Sequence, residues 1–368
     1  MPSTGGPAVS AVSARPHRLN GGRGEVVKGA RQESLRRHNL AVVYQLVAAA
    51  SEPLSRAEIA ERADVTRATA TSLVDQLVAA RLVEELDARV SGRAGRPATP
   101  VRPARGTVVG LGLEVNVDYL GVRAIDLAGT VVGERVRHGD LAGSQPAETL
   151  TRLARAARTV RTAVMRRGAR IAGAALAVPG PVDRPLGPLR LAPNLGWADV
   201  DVAGILNRLL AATPLVRVDN EASLAARAEL HARARLAGTP GCALPGEPPG
   251  GGFIYVSGGI GIGAGIVEAS GMYAGAHGWA GELGHVAVYP DGRPCRCGAT
   301  GCLEQYAGRR AIAVSAGMAA DASTEDLRVL AEAKNREVLS ALNLAGTALG
   351  IALAGAVNLV DIPAVVLG

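Results

Sequence analysis

Ten residues after the histidine of "GELGHVAVYPDGRP" the chain reads "CRCGATGCLE", Cys295 to Glu304, and three of its four cysteines fall within eight positions. Few patterns restrict a fold as tightly, because His285, Cys295, Cys297 and Cys302 supply one imidazole and three thiolates, the composition of a tetrahedral structural zinc site. A C-x-C pair can share one ion, and Gly298 and Gly301 let the backbone curl so that Cys302 comes back to it. A redox centre more usually spaces its thiols C-x-x-C, a disulfide would strand the third thiol, and buried inert cysteines are the plain alternative. Soft ligands at this spacing favour Zn2+. Four protein ligands leave no open coordination position, so the expected metal is a structural staple with no hydrolytic role. Glu282 lies three residues before His285 and Glu304 two after Cys302, so the staple would fix two carboxylates and an imidazole near one point. Convergent acceptors of this kind bind polyols, each carboxylate taking hydroxyl hydrogens. The sharper expectation is a sugar site; the plainer one is a pair of solvated glutamates.

The rest of the 368 residues sets bounds on this reading. The chain is long enough for two or three domains, and at 48% hydrophobic but 2% aromatic it builds its cores from Ala, Val and Leu. No unbroken apolar run reaches the roughly 18 to 20 residues of a membrane span. Arg15, Arg18 and Arg23 near the start are not followed by the apolar core of an export signal. Four cysteines in such a chain are no extracellular disulfide framework, and a reducing cytoplasm is expected. Charge is uneven: residues 1–105 hold 16 Lys and Arg against 10 Asp and Glu, a net of +6 out of +7 for the whole chain. A basic first quarter on a neutral body suggests a nucleic-acid module attached to something else.

Residues 1–33, rich in Gly, Ser, Pro and Arg, read as a disordered basic tail. From Ser34 the pattern becomes helical, with Leu40, Val43, Tyr44 and Val47 on one face. Ser55 and Glu58 in "SRAEIAERA" form an S-x-x-E capping box, the chain turns at Ala63-Asp64-Val65, and Thr66 caps a third helix whose inner face is Ala70, Leu73, Val74 and Leu77. Two short helices joined by a tight turn and buttressed by a third read as helix-turn-helix. The outward face of the last helix, with Arg67, Thr69, Thr71, Ser72 and Gln76 beside the capping Thr66, offers short hydrogen-bonding groups and a guanidinium for phosphates and base edges. Two strand-like runs flank "ARVSGRAGRP", a wing whose tip displays Arg89, Arg93 and Arg96, suited to a narrow minor groove. The expected domain spans residues 34–105 and its partner is double-stranded DNA; a packing module with a solvated charged face is the alternative.

From residue 106 the texture changes. "TVVGLGLEVNVDYLGVRAIDLAGTVVGERV" reads as three successive strands, followed by a helical run from Glu148 and then by strands alternating with helices. That alternation predicts an α/β architecture in two lobes with a cleft between them. The run "SGGIGIGAG" could cradle phosphate with bare backbone N–H groups, or it could be a glycine-rich β-hairpin.

Over about Thr107 to the end, "GHGWAGELGHVAV…GRPCRCGATGCLEQYAG" resembles the signature of the ROK family of repressors, open reading frames and kinases, and the N-terminal winged helix resembles that of its repressor branch. The resemblance implies a two-lobed, actin-like sugar-kinase fold over residues 106–368, zinc on His285, Cys295, Cys297 and Cys302, and a sugar in the cleft. It places sugar contacts on Glu282, His285, Glu304, Asn220 and Glu221, with Asn194 and Gly180 on segments lining the same cleft. Two departures from the kinase pattern stand out. Kinases of the family carry D-x-G-G-T where this chain has Asn116-Val117-Asp118, whose side chains obstruct a phosphate and whose carboxylate repels it. They also carry N-D, with aspartate as the base, where this chain has Asn220-Glu221. Misplacement of a base by one methylene can cost about 100-fold in rate. The glycine run then reads as an inherited structural turn. The late strand "VNLVDIPAVVLG" normally runs on into further elements in the family, so a truncated C-terminus is expected.

The reading is a sugar-responsive regulator of transcription, a repressor, not an enzyme, acting as a homodimer or higher oligomer and away from the membrane. Its rival is an ATP-dependent sugar kinase with an appended DNA-binding module; a third option is an architectural DNA-binding protein whose kinase-like half only oligomerises.

Overall fold

The computed structural model describes residues 24–87, 99–183, 185–236, 251–269 and 271–368. Its first unit comprises α1 (Gly24–Ala49), α2 (Arg56–Arg62), α3 (Arg67–Ala79) and an antiparallel ribbon of β1 (Val83–Glu85) with β2 (Val101–Pro103). The periodic residues make its core: Val43, Val47, Ile59, Ala70, Leu73, Val74 and Leu77 are buried together with Val83 and Val101 of the ribbon. The capping box closes, Ser55 Oγ accepting from the Glu58 N–H while the Glu58 carboxylate accepts from the Ser55 N–H at 2.7 Å. Between α2 and α3 Asp64 takes φ 51°, a left-handed conformation that Asp tolerates because its short side chain can bond locally. Arg56 ties the unit together, 2.7 Å from both Asp75 on α3 and Glu85 on β1.

One boundary is corrected. The first helix begins at Gly24, inside the tail expected over residues 1–33. The run "GEVVKGARQE" permits helix but has no apolar stripe, so periodicity cannot detect it. The wing tip, with Arg89, Arg93 and Arg96, lies outside the described residues.

The first lobe follows as β3 (Val108–Val115), β4 (Tyr119–Asp126), β5 (Val131–His138), α4 (Pro146–Arg166), β6 (Arg170–Val178), β7 (Leu189–Ala192), β8 (Trp197–Val200), α5 (Val202–Leu210) and β9 (Leu215–Asn220). Its five-stranded sheet runs β5-β4-β3-β6-β9, antiparallel through the first three strands and parallel from β3 onward. Asp126 organises the β4–β5 turn by accepting the N–H groups of Ala128 and Thr130. Leu150, Leu153, Ala154, Ala157 and Val160 of α4 and Leu206 of α5 bury one face of the sheet with Leu111, Leu113 and Val122. The other face is left to the cleft.

The second lobe comprises α6 (Glu221–Leu236), β10 (Phe253–Gly258), β11 (Ile262–Glu268), β12 (Gly271–Tyr273), a 3-10 turn at Leu283–His285, α7 (Glu304–Ala307), α8 (Arg309–Ser315), α9 (Thr324–Glu332), α10 (Arg336–Val360) and β13 (Val365–Leu367). Its sheet runs β12-β11-β10-β13. Helix α6 packs on β10 and β11 and also touches β6 and β9, so one rigid element joins the two lobes at the floor of the cleft. By length and mean hydropathy, 1.7, α10 could cross a membrane. One of its faces is used in the fold, with Val338 and Ala341 in one apolar cluster and Ala348 and Ala352 in another.

Candidate functional site

The cysteine cluster forms where the 3-10 turn meets a short loop. Cys302 bridges to Ala287, Pro294 to Thr300, and the Cys295 N–H donates to Ala299 O at 2.8 Å, folding Cys295 to Cys302 into a tight hook. Gly301 is required at its corner: φ is 72°, and a Cβ there would sit 1.6 Å from Tyr289 O. One ligand atom from each of His285, Cys295, Cys297 and Cys302 lies within 4.8 Å of all the others. Cys297 Sγ and Cys302 Sγ are 3.7 Å apart, too far for a disulfide. Bonds of about 2.3 Å at the tetrahedral angle would put two zinc-bound sulfurs about 3.8 Å apart, so the donor set fits that ion. Burial first, then hydrogen bonding to Cys297 and Cys295, push the Cys302 thiol up to about 12, while against burial the Ala299 backbone and the other two thiols hydrogen-bond Cys297 and bring it below its usual value. His285 turns Nδ1 towards Cys295, at 3.8 Å, and Nε2 towards Glu282, at 4.0 Å. The imidazole thus links the cysteine cluster to the cleft.

On the other side of His285 is a cavity of about 840 Å3 between the lobes. Gly180, Asn194, Asn220, Glu221, Glu282, His285 and Glu304 all line it, so the residues expected to contact a sugar are brought to one place. Asn220 ends β9 and its Oδ1 accepts the Ala222 N–H, starting α6, while its Nδ2 donates to Gly180 O at 3.3 Å. Gly180 needs its φ of 97°, since a Cβ would lie 2.0 Å from Leu191 O. Glu304, at the start of α7, accepts the Ile262 N–H at 3.2 Å, and Asn194 accepts from Arg296 at 3.4 Å. Glu221 is half-buried, and its Oε2 is shut off from solvent without a hydrogen-bond partner among the described residues. Burial, then the charges of Glu114, Glu282, Glu304 and Asp118, push its carboxyl up to about 7. Burial is also the main cause that raises Glu282. Acceptors that lack donors in a site of this kind are what a polyol's hydroxyl hydrogens satisfy.

Two residues that sequence patterns did not single out complete the cavity. Glu114 accepts the Tyr119 hydroxyl within the β3–β4 hairpin, and Arg309 at the start of α8 reaches Asp118 at 3.3 Å. The pair crosses the cleft between residues 191 positions apart, so no local signal could have revealed it. At the hairpin turn Asn116 Oδ1 accepts the Val117 N–H at 2.7 Å, and the turn is filled by side chains. The glycine run "SGGIGIGAG" forms the β10–β11 hairpin; close packing accounts for Gly261, Gly263 and Gly265, while Gly258 and Gly259 have open space and line the cavity. A Cβ at Gly263 would lie 2.9 Å from Ala222, one at Gly265 2.4 Å from Ala226, and one at Gly261 2.3 Å from Glu304.

On the DNA module, Arg67, Thr71 and Ser72 are exposed on α3. Thr66 and Thr69 are engaged in the helix start: Thr66 Oγ1 accepts the Thr69 N–H at 3.2 Å and the two hydroxyls are 2.9 Å apart. Gln76 donates to Ser72 O and accepts from Arg36 of α1, bracing the outer face.

Residues 111–368 match the profile described as ROK family. The chain belongs to the ROK family. Ahead of this ROK body, residues 39–94 match the profile described as MarR family, covering α2, α3 and the start of the wing. The putative xylose repressor of Caldicellulosiruptor sp. (strain Rt8B.4) is 29% identical over 331 residues, which cover 86% of this chain and 79% of that protein. The xylose repressor of Bacillus subtilis (strain 168) is also 29% identical, over 318 residues covering 86% and 78%. A crystal structure of a ROK family transcriptional regulator, a homolog of the E. coli MLC protein, matches 91% of this chain and 83% of that one with a TM-score of 0.70. Sequence identity there is 24%, and the likeness shows a shared fold: winged helix-turn-helix, then the two-lobed ROK body.

Proposed function

We propose that the chain is a sugar-responsive repressor of transcription, binding duplex operator DNA through its winged helix and a sugar in the ROK cleft. The observation that carries this reading is the union in one chain of a MarR-type module with a ROK body whose cleft gathers Glu282, His285, Glu304, Asn220 and Glu221. Relatives spanning most of the chain carry the name xylose repressor, which supports the same direction. In this reading Glu282 and Glu304 accept hydroxyl hydrogens, Asn220 both donates and accepts, and Asn194 and the Gly180 backbone close the rim. His285, Cys295, Cys297 and Cys302 hold a structural Zn2+, which would fix the imidazole and the two flanking glutamates. Arg67, Thr71 and Ser72 face DNA, joined by Arg89, Arg93 and Arg96 of the wing, while Thr66 and Thr69 set the helix start. The chain acts as a homodimer, the symmetry that paired half-sites require.

The kinase rival is disfavoured by Asp118. Phosphoryl transfer depends on positioning and on stabilising charge around the transferring group. Here Asp118, paired with Arg309 at 3.3 Å, lines the cavity at the β3–β4 turn, where its carboxylate offers a phosphate no donor. Calorimetric titration with pentoses, hexoses and N-acetylated hexosamines, beside coupled ATP consumption with the same sugars, separates the two. Binding heat without turnover is expected; turnover near one per second, ordinary for an enzyme, would establish the kinase instead.

A further inference from the structure

Residues 106–368 carry a net charge of only +1, yet that near-neutrality conceals a separation of charge. Five carboxylates, Glu114, Asp118, Glu221, Glu282 and Glu304, line the cleft. On the far side of the first-lobe sheet, helix α4 presents a row of arginines and a single first-turn acid, Glu148. Arg152, Arg155, Arg158 and Arg166 are exposed, and none makes an ion pair among the described residues. Arg155, Arg158 and Arg166 line a shallow groove with Thr159 and Thr162. At about 1.5 Å per residue the row from Arg152 to Arg166 is about 21 Å long. Fork-shaped donors beside hydroxyls suit phosphate oxygens.

The row is also tied to the DNA module. Helix α4 ends at Arg166, and after a short turn Arg170 opens β6. The Arg170 N–H donates to Thr107 O at 2.8 Å, and Thr107 Oγ1 donates to Arg81 O at 2.7 Å, immediately after α3. A hydrogen-bonded path therefore runs from the basic end of α4 to the end of the helix that faces DNA.

We infer that the arginine row of α4 is a second DNA contact, gripping the phosphate backbone of the duplex that flanks the segment held by the winged helix. This rests on the DNA-binding reading above. Duplex DNA carries one negative charge per about 1.7 Å of axis, so a row of this length faces several phosphates. The contact carries no sequence information; it adds affinity, salt dependence and orientation of the body along the duplex.

The test uses the full chain, metal retained, with random-sequence duplexes of about 15 and about 40 base pairs at several salt concentrations. The variant Arg152→Gln/Arg155→Gln/Arg166→Gln changes only exposed side chains, and an unaltered melting temperature checks its fold. On the long duplex the log–log salt slope should become shallower by about 2 to 3, at about 0.9 per lost contact. The wild-type preference for the long duplex should shrink as well. If Arg67→Gln weakens binding while the triple variant matches wild type on both duplexes, the α4 contact is refuted and the DNA reading stands. If the wild type binds neither duplex, both fall. Loss of binding to phosphatidylglycerol vesicles with DNA binding intact would overturn the proposal and assign the row to a membrane surface.

Discussion

Replacing Glu221 by Gln should make the protein progressively more stable than wild type as pH rises from about 5 to 8.5, a window set by its two pKa values. In the folded chain burial, then Glu114, Glu282, Glu304 and Asp118, raise the Glu221 carboxyl from 4.5 to about 7. Tyr119, itself raised first by burial, also feels the Glu221 charge. The sign follows from linkage: the folded state holds a proton that the unfolded state releases at lower pH, so stability falls through this window and the whole penalty is present above it. At about 1.36 kcal/mol per unit the full penalty is roughly 3 kcal/mol, of which about 2 to 3 develops across the measured range. For domains of about 150 to 250 residues that corresponds to a melting difference widening by roughly 5 to 10 °C. Thermal melts of wild type and Glu221→Gln in matched buffers read it directly. The constant part of the difference, due to changed hydrogen bonding, cancels in the comparison across pH. Parallel curves would refute the reasoning and mean that Glu221 is solvated or paired in the folded protein. A saturating sugar that satisfies Glu221 should also reduce the pH dependence of the wild type.

Two other perturbations probe the remaining elements. Cys297→Ser should lose the metal, read by elemental analysis, and weaken sugar binding with it, because His285 and the flanking glutamates lose their common support; normal sugar affinity in the metal-free variant would break that coupling. Thr66→Ala removes the hydrogen bond to the Thr69 N–H, and should cost the DNA module about 1 kcal/mol in urea unfolding, the usual value of an N-cap; an unchanged midpoint would mean that Thr69 or water replaces the cap.

The elements that were legible in the sequence share one property, a pattern completed within a few residues. Ala70, Leu73, Val74 and Leu77 recur at helical spacing and all pack inward. The hook at Cys295 to Cys302 declares its ligands because metal chemistry restricts residue types and the glycines restrict the path. Other features depend on neighbours far along the chain. The glycines of "SGGIGIGAG" could equally cradle a phosphate or admit another element, and for Gly261, Gly263 and Gly265 the approach of Glu304, Ala222 and Ala226 decides it. The β7–β8 hairpin has four-residue strands and offers little periodicity. Helix α10 is apolar on more than one face, so no stripe marks which side packs. In the sequence Asp118 stands only as a carboxylate that repels phosphate, because its partner Arg309 lies 191 positions away.

The central claim, that one ligand-sized cleft governs DNA binding, is tested most directly by the affinity of the full chain for its operator, recovered from genomic fragments that it retains, titrated against single sugars. The account predicts that one sugar shifts that affinity roughly 5 to 150-fold, the effect of a coupling free energy of about 1 to 3 kcal/mol. It also predicts that Glu282→Gln/Glu304→Gln abolishes the shift while leaving DNA binding without sugar intact. An operator affinity unmoved by any sugar that calorimetry shows to be bound would contradict it.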